Sequence, residues 1–217
     1  MNSPRGVHLE SPVDMATSNG AAVWSFDLDL WGVCEQGPSE DLAMAAWTTH
    51  HGPATAAERS AGDEQAFQRD FVPASDAELD RTLAILTEQR ERTIGMLDEL
   101  PPRVLDFDDP DRDLPDWARW RTIRQTLWHI CDTESRYYLP QTGLQAKDRV
   151  ERLPDELRAS QRHVRSVLTS MPRSAQHRPG KEVWTATKLL RRLAWHERGE
   201  LAAVDSLLTR WKAAGLV

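Results

Sequence analysis

Between residues 75 and 212 the chain repeats one instruction four times: an apolar stripe at helical spacing with a single polar residue set into it. The first segment opens on "SDAE", where Ser75 can cap the helix and Glu78 can reach back, and it runs to Leu100 before Pro101 and Pro102 stop it. The second opens on the same device in "TIRQ", Thr122 to Gln125, and continues to about Leu139. A third runs from about Pro154 to Met171, with Pro near its first turn, and a fourth from about Thr185 to Lys212. An acidic loop, "DFDDPDRDLPD", and the link "MPRSAQHRPGKE" separate them. Four long helices joined by three connections predict a bundle, a fold whose sites are built from side chains that face one another inside.

At ~100° per residue, the stripes read Leu79, Leu83, Leu86, Ile94 and Leu97; Ile123, Leu127, Ile130 and Tyr137; Leu157, Val164, Leu168 and Met171; and Leu190, Leu193, Leu201, Val204 and Leu208. The polar intruders are Arg90, Glu134, Gln161 and Glu197. An isolated ionised group costs several kcal/mol to bury, so these side chains should meet one another, a ligand or water. A core network of Arg90, Glu134 and Glu197 with Gln161 nearby follows, unless a helix is rotated and its intruder solvated.

The histidines fall elsewhere. His196 and Glu200 lie four apart, on one side of the last helix and beside its stripe, where a metal could take both. His129 shares a polar flank of the second helix with Gln125, Asp132, Thr133 and Arg136, which suits a cleft wall as well as open solvent. By spacing alone each also reads as an ordinary surface or satisfied histidine. His50, His51, His163 and His177 show no partner spacing, and no phosphate loop or GxSxG elbow occurs.

Before residue 75 the signals are shorter. "AAVWSFDLDLWGVCEQGPSEDLAMAAW" alternates, turns at Gly37 and Pro38, and ends in a helix that Ser39 can cap, which predicts a small β-hairpin and helix. Residues 1–20 read as a flexible N-terminus without the apolar core of a signal peptide, and residues 48–74 as a linker. Cys34 and Cys131 match no zinc or redox spacing and read as free thiols of a cytoplasmic protein. With 34 acidic against 27 basic side chains, the net charge of -7 disfavours nucleic acid, and no run approaches a membrane span.

"TIRQTLWHICDTESRYYL" and "ATKLLRRLAWHERGELAAV" resemble the DinB-like, or YfiT-like, superfamily of four-helix-bundle proteins, and "FVPASDAELDRTLAILTEQRERTIGMLDEL" fits its first helix. The resemblance implies a mainly α fold, with residues 67–217 as a DinB-like four-helix bundle and a small N-terminal β-hairpin/helix appendage. It also implies a divalent metal (Zn, Ni or Fe) held by His129, His196 and Glu200, where the family has His at the third position. "DLWGVCEQGPSEDLA" is similar to a HicB-like strand-turn-helix, so residues 21–66 are a small segment and linker expected to pack on the bundle.

The function this resemblance implies is a metal-dependent enzyme acting on a small molecule, as a transferase or isomerase using a low-molecular-weight thiol or as a hydrolase. Glu134 and Glu197 are then candidate catalytic proton carriers, and Arg90, Arg136 and Arg192 candidate substrate-binding groups, with a homodimer possible through helix faces. Two alternatives stand beside it. One is a metal-free bundle that binds a small ligand, and the other a metal-independent biosynthetic enzyme using the same cavity for acid–base chemistry.

Overall fold

The computed structural model describes residues 4–15, 18–62, 65–112, 114–115 and 118–216. The fold is mainly α with a small sheet. Asp113 and Asp116 of the acidic loop, and residues 1–3, 16 and 17 of the expected flexible terminus, lie outside the described residues.

Arg5–Val13, expected to be flexible, forms β1. It pairs antiparallel with β2 (Gly20–Trp24), which pairs antiparallel with β3 (Cys34–Gly37). Then α1 (Glu40–His51) leads to β4 (Ala54–Ser60), which lies parallel to β1, so the sheet order is β3-β2-β1-β4. Residues expected as a linker thus supply an edge strand, and the anticipated hairpin becomes part of a four-stranded sheet.

Side-chain alternation explains why both faces are covered. Val7, Leu9, Ala21 and Val23 pack under α1 with Ala43 and Trp47, while Val13, Met15, Ala22 and Trp24 turn to the other face with Phe67 and Trp195. Ser39 caps α1 by accepting a hydrogen bond from the Leu42 amide.

Both capping boxes form as the sequence predicts, at the starts of α2 (Asp76–Glu99) and, after the single turn α3 (Pro102–Leu105), of α4 (Ile123–Asp132). A π-helical turn, Thr133–Tyr138, carries α4 into the final turn α5 (Leu139–Gln141). α6 (Leu153–Ser170) follows, and a two-residue ladder of β5 (Gln176–His177) with β6 (Trp184–Thr185) leads to α7 (Ala186–Ala213). α2 packs along α7 and α6, and α4 touches both α6 and α7.

The stripe of α4 departs from expectation at one place. Tyr137 is 43% exposed, and Tyr138 takes the core position at 6%. A π-turn bonds i to i+5 and so accommodates one residue more than an α-turn, which shifts everything after it by about one position.

The sheet joins the helices through buried charge. Glu10 of β1 accepts from Trp24 Nε1 at 3.0 Å and from Arg192 at 2.7 Å, and Asp70 accepts from Arg191 at 2.9 Å. The turn after β2 also docks on the helices. Trp31, fully buried, donates to Thr82 Oγ1 at 2.8 Å, and Gly32 lies against the backbone of Ala194.

Candidate functional site

α4 and α7 meet where His129 faces His196 and Glu200. The turn between His196 and Glu200 stacks their side chains, as their spacing requires. The distances are 3.3 Å from His129 Nε2 to His196 Nε2, 3.6 Å from His129 Nε2 to Glu200 Oε1, and 4.0 Å from His196 Nε2 to Glu200 Oε1. The centre of such a triangle is about 2.1 Å from every corner, which matches the bond lengths of zinc to imidazole and carboxylate. Two imidazoles and a carboxylate are also a donor set suited to first-row divalent ions.

The surroundings hold these side chains in place. Trp120 stacks flat on His129, with ring centroids 3.4 Å apart and 10° between planes. Thr133 Oγ1 lies 3.3 Å from His129 Nδ1. Burial pushes His196 down to about 3, against the pull of Glu200, so its imidazole is neutral and its lone pair available at physiological pH. Burial works to raise Glu200, but the hydrogen-bonding contact with His129 and the proximity of His196, His129 and Arg112 prevail, and its carboxyl is held below the usual range.

These three side chains line a cleft of about 600 Å³. Trp120, Tyr138, Trp184 and Trp195 give it aromatic walls, and Met15 and Gln36 from the sheet region close one side. Arg112 and Arg192 bring positive charge to it. Arg112, only 8% exposed, donates to the Arg121 carbonyl at 2.5 Å; burial lowers its pKa, Glu200 opposing. Sequence reasoning missed Arg112 because it sits among the aspartates of the acidic loop. It missed the Trp walls because composition reports an excess of Trp but not where the rings converge.

The other expected site residues lie elsewhere. Arg90 donates to Glu197 and Glu134, each at 2.8 Å, and to the Leu157 carbonyl at 2.5 Å, and Thr93 Oγ1 donates to Glu197 at 2.6 Å. Arg90, Glu134 and Glu197 are each 1% exposed and do not line the cleft. Arg90 and Glu134 border a separate cavity of about 90 Å³ with Gln161. The predicted network is therefore present, away from the cleft; one oxygen of each glutamate is bonded, and the other, Glu134 Oε1 and Glu197 Oε2, is buried without a hydrogen-bond partner.

Arg136 is likewise committed, to Asp132 at 2.5 Å, Glu156 at 2.9 Å and the Lys147 carbonyl at 3.3 Å, which ties down the loop before α6. Arg192 does reach the cleft wall, although it is bonded to Glu10.

Among the described residues two groups bring together three side chains that could hold a metal ion: His129, His196 and Glu200, and Glu35, His50 and His51. Among the described residues, no helix is long and apolar enough to cross a membrane. Compared with protein-family models, curated proteins and solved structures, the chain matches none.

Proposed function

We propose that the helical part of this chain is a DinB-like four-helix bundle built from α2, α4–α5, α6 and α7, and that it is a metal-dependent enzyme acting on a small molecule. The chemistry proposed is transfer or isomerisation with a low-molecular-weight thiol, or hydrolysis. The single observation carrying this reading is the His129–His196–Glu200 triangle opening onto a cleft of about 600 Å³, a volume within the range of small-molecule sites.

A divalent ion held by these three residues would supply Lewis acidity and so a nucleophile at neutral pH. The chain's own residues do the rest. His196 stays unprotonated because it is buried, and Trp120 fixes the plane of His129. The Trp and Tyr walls exclude water and hold the apolar part of a substrate, while Arg112 and Arg192 orient an anionic part. Tyr137, whose hydroxyl donates to Glu182 at 3.3 Å, lines the same cleft and offers an Oη that can exchange a proton there.

Metal content by mass spectrometry of the purified protein tests the reading. One equivalent attributable to this triangle is expected, read as the difference between the natural protein and His129→Ala or His196→Ala, each of which should also lose turnover; a protein that carries no ion at this triangle and gains none there from zinc refutes it. One observation favours a second reading, a metal-free ligand-binding bundle: Glu200 is already held by two histidines and by the charge of Arg112. In that case only Glu200→His would acquire metal.

A further inference from the structure

His50 and His51 end α1, where Gly52, at φ 88°, stops the helix. Successive residues on a helix point about 100° apart and do not ordinarily share a partner. Here they do. His50 Nδ1 lies 3.1 Å and His51 Nε2 2.8 Å from the same oxygen, Oε1 of Glu35 on β3. The different nitrogens make this possible: His50 uses the ring atom near its backbone and His51 the far one, so two divergent side chains reach one point. All three ligand atoms fall within 4.8 Å of one another.

The arrangement is anchored on one side and open on the other. The His51 ring lies against buried Trp47, with centroids 4.7 Å apart, and Glu35 is about one-fifth exposed. His50 is 57% exposed, which leaves a route from solvent. A lone ion pair with Glu35 would need one imidazole; a second converging on the same oxygen is what a shared cation would organise.

We propose that Glu35, His50 and His51 form a second divalent-metal site, taking zinc or another imidazole-preferring first-row ion, that clasps the C-terminal end of α1 to β3. Nitrogen ligands in the majority disfavour magnesium and calcium, which take oxygen donors. Three protein ligands leave room for water, and the site lies on the α1 side of the sheet while the cleft lies on the other. Its role is to stabilise the sheet layer, independently of the cleft.

Zinc titration of the chelator-treated full chain tests this, followed by calorimetry and by thermal melting. In a His129→Ala background one equivalent with a Kd in the micromolar range or tighter should remain. At a hundredfold excess over that Kd, the melting midpoint should rise by roughly 5–10 °C. Glu35→Gln and, separately, His50→Ala should abolish both effects; both side chains reach solvent, so neither change opens a core. The proposal is overturned if the remaining equivalent is absent, if its Kd is millimolar, or if it survives both substitutions. Wild-type protein that binds one equivalent, lost in Glu35→Gln but kept in His129→Ala, would support this site while sinking the cleft reading.

Discussion

Glu134 and Glu197 share a single guanidinium inside the protein, an arrangement with one positive charge too few. Burial, opposed by Arg90 and reinforced by Glu197, pushes Glu134 from its ordinary 4.5 up to about 8. A carboxyl whose native value lies above its unfolded one holds its proton more tightly when folded. Its contribution to stability is complete below about pH 4.5 and disappears as pH rises through 8. Unfolding free energies from urea titrations should therefore fall between pH 6 and pH 9, by roughly 2–3 kcal/mol, levelling off above pH 8. Glu134→Gln, which keeps an acceptor for Arg90 and cannot ionise, should remove most of that dependence. Equal slopes for the two proteins would contradict the account.

Among elements, the turn from Leu28 to Gly32 shows how closely the sheet region approaches α7. Gly32 has φ 74°, and a Cβ there would come within 2.7 Å of the Ala194 backbone. Gly32→Ala should cost at least about 2 kcal/mol, from the left-handed backbone and the clash together, read as a lower denaturant midpoint with an unchanged m-value. Much of the helical architecture was legible in the sequence because caps and stripes are local: Ser75 with Glu78 and Thr122 with Gln125 mark the starts of α2 and α4. The phase of the intruders likewise brought Arg90, Glu134 and Glu197 together. What escaped was non-local. β4 reads "ATAAERS", with half-buried and exposed residues alternating but with Thr55 as its one β-former, so little in the segment itself announces an edge strand. Tyr138 replaces Tyr137 because of a π-turn, which apolar spacing computed for a regular helix cannot register. For the cleft, spacing paired His196 with Glu200, whereas joining His129 to them needed the family likeness, and Arg112 and the Trp walls depend on loop paths that no periodicity encodes.

In the whole molecule, Arg191 and Arg192 look like the solvent side of a helix and are buried because the sheet covers them. Glu10 is their counterpart across the seam, at 3.5 Å and 2.7 Å. Glu10→Ala should destabilise the protein by about 3–5 kcal/mol, since it removes the buried carboxylate that both guanidinium groups face. Far-UV dichroism and Trp fluorescence should still report a single coincident unfolding transition; two separate transitions would mean that sheet and helices cohere independently. The cleft spans this same seam, with Met15 and Gln36 on one bank and His129, His196 and Glu200 on the other. A molecule lodged there therefore acts as mortar: whatever free energy it gains by binding is added to the cohesion of both layers, about 2.7 kcal/mol at a hundredfold excess over its dissociation constant. Conversely, any loosening of the seam weakens the grip on that molecule, so changes far from the cleft along β1 would register first as a loss of affinity.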